Sequence, residues 1–251
     1  MLNKLSRLFF AFVTSVSAAS FADTPLPAKQ APASAEAKPA AAKEDVPSLK
    51  PVSKQDVASL KALDQRYQQA KSIEMGVEKV LKLGLLGQER KASGKIWLSG
   101  GRVRMELEGA EKSLLVVNKK NLWAVTFPPA EFKDAAIQVI RGDTTTKKGR
   151  SQSIVSLLSL GGFLKFFTPT GMQALPSGET IYFLQPQKEQ TDFKRAQVKV
   201  TKDKKTIQEL RYWDERDNET SFEFKDVSFG KKVDEKLFQY DPPANADVMN
   251  L

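Results

Sequence analysis

The sequence predicts an α+β fold that is mainly antiparallel β, with about ten strands in a barrel or strongly curved sheet. Two observations lead to this class. Apolar and polar residues alternate with a period of two in about ten short segments between Ser72 and Phe229, which is the pattern of strands with one buried face. Helical spacing of apolar residues is confined to one segment before Ser72 and one over residues 151–168.

The first 52 residues are expected to lie outside this fold. Residues 1–22 have two basic residues, a short apolar run and the small-residue sequence Ser20-Phe21-Ala22, which together predict a cleaved secretory signal peptide. Residues 23–52 hold six of the 13 prolines and eight alanines, a composition that buries too little apolar surface to fold. We therefore expect an exported chain in which a disordered Pro/Ala-rich linker precedes one domain, residues 53–251.

The domain is predicted to begin with an amphipathic helix. Ser53 can cap this helix, and Val57, Leu60, Leu63 and Tyr67 follow at spacings of three to four. This spacing places one apolar stripe along the helix.

A meander of strands is predicted after the helix, with turns at Gly100-Gly101 and at residues 118–121. Its strands start at Ser72 and continue over residues 91–99, 102–108, 114–117, 122–127 and 132–140. Residues 142–150 are predicted to form a polar, basic loop. The later strands are predicted over residues 180–185, 193–201, 206–213 and 220–229, with a turn at residues 202–205 and a helical turn at 234–238.

Residues 151–168 interrupt this rhythm. Their apolar side chains point to every side of a predicted helix that is broken at Gly161-Gly162. A helix that is apolar all round is either fully buried or covers an apolar cavity.

The chain contains no histidine and no cysteine. This composition excludes the Ser-His-Asp triad, the Cys-His dyad, disulfides and nearly all zinc sites, so neither a metal nor another cofactor is expected. A carboxylate-based exported hydrolase stays open as an alternative, because glycoside hydrolysis needs only two carboxyl groups. The pairs Glu106/Glu108 and Glu219/Glu223 are its candidates.

The net charge is +9, and it falls to +7 once Lys4 and Arg7 of the predicted signal are removed. Lysines and arginines are dispersed among acidic residues rather than clustered. We interpret this charge as a source of solubility and of weak attraction to anionic lipid, and we expect no binding to nucleic acid.

The order of these elements resembles the LolA family of periplasmic lipoprotein carriers, over Val57 to Val248. The resemblance is carried by the leading helix and the strand after Lys71-Ser72, and by residues 94–98 (Gly-Lys-Ile-Trp-Leu), 102–106, 115–123, 156–162 and 238–248. Two departures stand out. Ser99-Gly100-Gly101 lies where the family often has Lys-Pro or Arg-Pro, and Val103 and Met105 replace the aromatic residues beside the family's arginine.

The resemblance implies a half-barrel sheet of about ten or eleven strands whose apolar face is covered by helices that form a lid. It implies a monomeric carrier without enzymatic activity, located in the periplasm and binding acylated lipoproteins. Its partners would be the inner-membrane lipoprotein-releasing ABC transporter and an outer-membrane lipoprotein acceptor. A related half-barrel protein that binds other lipids or senses envelope stress is the alternative.

The resemblance also implies which residues contact lipid and which hold the lid. The lid segment around Leu157 to Phe167 would fill the empty cavity and swing out when lipid enters, and Arg104, with Arg102 as second candidate, would latch it through helix-end carbonyls. The expected lipid-binding residues are Met75, Trp97, Val103, Met105, Leu107, Leu115, Val117, Trp123, Val125, Phe127, Leu157, Leu158, Phe163, Phe167, Trp213, Phe222 and Phe224.

Overall fold

The structure is a computed structural model, and it describes residues 49–109, 112–132, 134–145, 161–187 and 193–250. The predicted signal peptide, most of the predicted linker and residues 151–160 of the predicted second helix lie outside the described residues. In the part that is described, no helix has the length and apolar character needed to cross a membrane.

The helix α1, Lys54–Gln69, begins at the predicted cap. The Ser53 hydroxyl accepts a hydrogen bond from the Asp56 amide at 3.2 Å, and the Asp56 carboxylate accepts one from the Ser53 amide at 3.3 Å. The Ser53 side chain, together with the Lys204 ammonium at 3.0 Å, lowers the pKa of Asp56. The reciprocal bonds satisfy amide groups that a helix otherwise leaves without partners.

Twelve strands form one sheet in the described residues, in the order β12-β6-β5-β4-β3-β2-β1-β11-β10-β9-β8-β7. All neighbours are antiparallel except β12 and β6. Their bounds are β1 (Ser72–Leu83), β2 (Gln88–Ser99), β3 (Arg102–Gly109), β4 (Ser113–Val117), β5 (Asn121–Thr126), β6 (Gln138–Asp143), β7 (Phe167–Ala174), β8 (Thr180–Pro186), β9 (Arg195–Val200), β10 (Ile207–Trp213), β11 (Glu219–Phe229) and β12 (Asp247–Asn250). The predicted fold class is confirmed.

Three elements differ from the prediction. The strand predicted over residues 132–140 is a 3-10 helix at Ala130–Phe132 followed by β6, because the Pro129 carbonyl accepts the Phe132 amide and closes a turn. The end of the predicted second helix is a 3-10 helix, Phe163–Lys165, and then β7. β7 lies at the sheet edge, where proline and a bulge are tolerated and hide the alternation. The exposed strand β12 has no alternation to detect.

The strand register assigns each side chain to one of two faces, because directly opposed residues point to the same side of a sheet. Met75, Ile96 and Met105 are opposed across β1, β2 and β3. Ile73 is opposed to Phe229, whose ring packs edge-on against Tyr67 of α1 with the ring centroids 5.2 Å apart. We call this side, which α1 covers, the helix face.

The opposite side is half apolar and half charged. A buried cluster on β4, β5 and β6 contains Leu114, Val116, Trp123, Val125 and Val139. Residues 234–246, which we call the C-terminal strap, cover this cluster with Tyr240 and Ala246. We call this side the strap face. Its other half carries ion pairs, such as Lys225–Glu78 at 2.7 Å and Lys82–Glu219 at 3.4 Å.

Gly94 is required by the close approach of β2 to β3. A methyl group at this position would lie 1.8 Å from the carbonyl oxygen of Glu106. Gly76 of the neighbouring β1 lacks this constraint, since a methyl group there would meet its nearest atom, the Lys225 carbonyl oxygen, at 3.6 Å.

We expect Gly94→Ala to lower the free energy of unfolding by about 2–3 kcal/mol, because the two backbones must move apart. The matched control Gly76→Ala should change it by less than about 1 kcal/mol. Urea unfolding followed by circular dichroism measures both values. Equal effects of the two substitutions would contradict the close approach.

Candidate lipid-binding face

The helix face carries rows of apolar residues that run across the strands. Two rows cross from β1 to β5 or β6 without a polar side chain, and a third crosses β8 to β11. The rows are Ile73-Leu98-Val103-Val117-Leu122, Met75-Ile96-Met105-Leu115-Ala124-Ile140 and Tyr182-Val198-Leu210-Phe222. Most of these side chains are no more than 7% exposed. The face is therefore a wide apolar surface that is largely buried in this structure.

Ten of the residues predicted to bind lipid belong to this face or to the segment that covers it. Phe163 and Phe167 are 2% and 1% exposed. Phe167 is opposed to Pro186 on β8 and points to the helix face. The other eight are Met75, Val103, Met105, Leu107, Leu115, Val117, Phe222 and Phe224.

Five predicted lipid-binding residues are not on the helix face. Trp97 is opposed to Arg104 and Trp213 to Glu219, and both tryptophans point to the strap face. Trp123, Val125 and Phe127 belong to the cluster under the C-terminal strap or pack against it. Apolar area alone predicts these residues as lipid contacts, but it does not set their face, because a shift of one position along a strand moves a side chain to the other face. Leu157 and Leu158 lie outside the described residues.

The two predicted latch arginines lie on the strap face. The Arg104 guanidinium donates to the Leu237 carbonyl at 2.8 Å and to Glu106 at 2.6 Å. Arg102 pairs with Glu235 at 3.2 Å and stacks on the Phe238 ring at 4.8 Å. Both arginines thus bind the 3-10 helix Glu235–Phe238 within the C-terminal strap. A latch on residues 151–160, which are not described, stays a prediction.

A buried carboxylate, Asp64, joins α1 to the segment that contains Phe163. Asp64 is 5% exposed, and its Oδ1 accepts the backbone amides of Gly162 at 2.5 Å and Phe163 at 2.9 Å. Its Oδ2 accepts the Gln68 side-chain amide at 2.8 Å. Burial raises the pKa of Asp64, and these three hydrogen bonds oppose the shift. The carboxylate is the acceptor that positions the Phe163 side chain.

The two glycines before Phe163 allow this contact. A methyl group at Gly161 would lie 2.8 Å from the backbone nitrogen of Gln68, and Gly162 has a φ of +84°. Sequence reasoning missed Asp64, although a signal existed. Asp64 follows Leu60 by four residues and precedes Tyr67 by three, so it lies within the apolar stripe of α1.

A second buried polar group holds α1 against the sheet. The Tyr67 hydroxyl accepts a hydrogen bond from the Ile207 amide of β10 at 3.0 Å. Burial of this hydroxyl raises the pKa of Tyr67 to about 12. α1 is therefore fastened by hydrogen bonds on two sides, to β10 and to residues 162–163.

The carboxylates considered for catalysis lie on the strap face or at its edge, and three of the four are paired with cations. Glu106 binds Arg104, Glu108 binds Lys112 at 2.7 Å, and Glu219 binds Lys82. Within the described ranges, no group of three or more acidic side chains is arranged to hold a metal ion. These contacts give the carboxylates roles in ion pairing.

Comparison by sequence matches residues 60–241 to the family described as outer membrane lipoprotein carrier protein LolA. The chain belongs to the LolA family. The match runs from the middle of α1 to the C-terminal strap, so it includes both faces of the sheet. No curated protein matches the chain.

Several solved structures are similar to this LolA-family chain at low identity. An uncharacterized conserved protein from Thermus thermophilus is 11% identical, with a TM-score of 0.47 over 79% of this chain and 100% of that one. A DUF1329 family protein from Desulfovibrio piger is 13% identical, with a TM-score of 0.43 over 76% and 98%. A LolA superfamily protein from Nitrosomonas europaea is 10% identical, with a TM-score of 0.40 over 73% and 97%.

Asp64→Ala should lower the free energy of unfolding by about 2–3 kcal/mol, because the amides of Gly162 and Phe163 would stay buried without an acceptor. Asp64→Asn keeps an oxygen at Oδ1 and should cost less than half as much. Urea titrations of the two variants and the unchanged chain measure the difference. Equal losses of unfolding free energy in the two variants would show that the oxygen at Oδ1 does not stabilise the Gly162 and Phe163 amides.

The same variants report the raised pKa of Asp64. A carboxyl whose folded pKa is raised binds its proton more tightly when folded, so its contribution to stability falls as pH rises from 3.8 through the folded pKa. The stability of the unchanged chain relative to Asp64→Asn should therefore fall across this window. A difference that rises with pH would contradict a raised pKa.

Proposed function

We propose that this LolA-family protein is a periplasmic carrier that binds the acyl chains of lipoproteins on the helix face and moves lipoproteins from the inner to the outer membrane. The single observation that carries the proposal is the set of apolar rows crossing the helix face. Saturated chains need continuous apolar area and no directional partners, and these rows supply that area. The family match supports lipoproteins as the cargo.

The dimensions of the face suit a ligand larger than one helix. Strands lie about 4.8 Å apart, so twelve of them extend about 53 Å along the sheet. The 16 residues of α1 are about 24 Å long. One helix is therefore shorter than half of this width. Because most side chains of the apolar rows are buried, acyl chains would have to replace the side chains that now cover them.

Release of the cargo requires that binding is not too tight. Burying an acyl chain contributes about 0.8 kcal/mol per CH₂, so complete burial of several chains would exceed the practical ceiling of about 20 kcal/mol. Displacing Phe163 from the helix face would offset about 1.5–3 kcal/mol, whereas Phe167 belongs to β7 and would stay in the sheet. We infer that the Phe163 ring occupies the site when lipid is absent.

The remaining parts of the carrier cycle follow from this assignment. The predicted signal peptide would direct the chain to the periplasm. The predicted linker, residues 23–52, would then precede the carrier domain. An inner-membrane lipoprotein-releasing ABC transporter would supply the cargo, and an outer-membrane lipoprotein acceptor would receive it. A monomer suffices, because the helix face belongs to one chain.

A synthetic diacylated lipopeptide should bind the purified protein at least about 100-fold more tightly than the same peptide without acyl chains. Met105→Gln should weaken lipopeptide binding about tenfold, because it places an amide in the middle of the helix face. The matched control Val125→Gln buries the same group on the strap face and should leave binding unchanged. Displacement of a fluorescent fatty acid measures the affinities.

Equal binding of the peptides with and without acyl chains would overturn the proposal. Equal weakening by Met105→Gln and Val125→Gln would move the site away from the helix face. Mass spectrometry of lipid that co-purifies with the protein adds a second readout. Phospholipid alone, with no affinity for lipopeptide, would favour the related half-barrel lipid-binding protein.

Because the chain has no native cysteine, Phe163→Cys introduces a single thiol that reports whether position 163 becomes exposed. The thiol should react slowly with a maleimide in the free protein, since position 163 is 2% exposed, and at least about tenfold faster with lipopeptide bound. Val116→Cys, buried on the strap face, is the control and should not respond. Lipopeptide that binds without changing the rate at position 163 would show that Phe163 is not displaced.

A further inference from the structure

We propose that a groove beside the C-terminal end of α1 binds the anionic headgroup of an amphiphile whose chains lie on the helix face. This inference rests on the proposed function and goes beyond it, since it adds a second class of ligand, an anionic amphiphile, for the same apolar face. The headgroup would be recognised by its phosphate or carboxylate.

The groove is shallow, with a volume of about 500 Å³, which is within the range of small-molecule sites. α1 forms one wall, and the end of β11 forms the other. Its lining residues are Ala62, Gln65, Arg66, Gln69, Ala70, Lys71, Phe229 and Gly230. The set contains two cations, two amides that both donate and accept hydrogen bonds, and no carboxylate.

The two cations have no carboxylate partner among the described residues. The Arg66 guanidinium lies 4.4 Å from the centroid of the Phe229 ring, an arrangement that leaves its N–H edges available to a further acceptor. In the described ranges neither Arg66 nor Lys71 forms an ion pair. Hydrogen bonds from the Thr201 hydroxyl and the Lys205 amide lower the pKa of Asp203, and the charge of Arg66 adds a smaller effect. The Asp203 carboxylate therefore has other partners than Arg66.

The groove borders the helix face at Phe229. Phe229, which forms its floor beneath Arg66, is opposed to Ile73 in the first apolar row and contacts Tyr67 of α1. An acyl chain that replaced the side chains burying Ile73 in that row would place its polar end beside Arg66 and Lys71. A cation pair next to an apolar row is the arrangement that an anionic amphiphile matches.

The shape favours a single headgroup over an extended anionic surface. A bilayer or an acidic protein segment would need cations spread over a flat or projecting area, whereas Arg66 and Lys71 line one recess with Ala62, Ala70 and Phe229 between them. Small apolar residues leave room for the glycerol and ester groups that join a phosphate to its chains.

The experiment compares lysophosphatidylglycerol, which is anionic, with lysophosphatidylcholine of the same acyl chain, which has no net charge. We expect the purified protein to bind the anionic amphiphile about tenfold more tightly. Arg66→Gln combined with Lys71→Gln should remove this preference and leave the affinity for lysophosphatidylcholine within about twofold. Arg66→Lys should retain part of the preference, because it keeps the charge but loses the planar fork.

Arg195→Gln is the matched control. Arg195 stacks on the Trp213 ring at the same distance, 4.4 Å, but on the strap face. Its neutralisation lowers the net charge by one, as each groove substitution does, and should leave the preference for the anionic amphiphile unchanged. A loss of preference in Arg195→Gln would show that net charge, rather than the groove, selects the headgroup.

The outcomes separate this inference from the proposed function. Equal binding of both amphiphiles by the unchanged protein would overturn the headgroup site and leave the helix face as the lipid site. A preference that survives the double substitution would also overturn it. Absence of binding of either amphiphile and of lipopeptide would overturn the proposed function. Inorganic phosphate that binds alone, with no preference between amphiphiles, would identify a site for free phosphate instead.

Discussion

The structure depends on one constraint: apolar side chains on neighbouring strands must stand in register on one side of the sheet. Met75, Ile96 and Met105 meet this condition in the middle of β1, β2 and β3, and the row continues to β6. A slip of one residue in any strand would turn its apolar set to the charged side. Gly94 belongs to the same constraint, because only a residue without a side chain lets β2 and β3 approach as closely as the curved sheet requires. The apolar area that a carrier needs is therefore a product of pairing geometry.

The attachment of α1 to the sheet is a second constraint on the structure. Three buried hydrogen bonds hold the helix and the Phe163 segment together over the apolar rows: the Ile207 amide donates to the Tyr67 hydroxyl, and the Gly162 and Phe163 amides donate to Asp64. Hydrogen bonds to a buried carboxylate are stronger than those between neutral groups but depend on geometry. The helix face is thus covered by an element that packs through the apolar stripe of α1 and is positioned by buried polar groups. Such a cover differs from the C-terminal strap, which seals the strap face through aromatic packing of Trp123 with Tyr240 and through Arg102 and Arg104.

Much of the local structure could be predicted from the sequence. The capped helix α1, the turns at Gly100-Gly101 and at residues 118–121, and the alternating strands β1 to β5 all follow from neighbours within a few positions. The structure departs from the sequence-based expectations where local signals are weak or ambiguous. Pro169 and Gly171 hide β7, and β12 has four exposed residues without a pattern. Trp97, Trp123 and Trp213 are large and apolar, yet size does not tell which side of a sheet a residue faces. The partners of Asp64 could not be predicted, because the amides that donate to its carboxylate are 98 and 99 positions away in the chain.

The sequence by itself determined the class of fold, the family, and the exclusion of histidine- and cysteine-dependent chemistry. These conclusions need only composition, the period of the pattern and the order of motifs, all of which are properties of short stretches of chain. Tertiary structure alone decided which apolar residues share a face, that Arg102 and Arg104 bind the C-terminal strap, and that Arg66, Lys71 and Phe229 line one groove. The reason is physical. Strand register and helix docking are set by contacts between residues that are far apart in the chain, and the free energy of those contacts is not encoded in any local pattern.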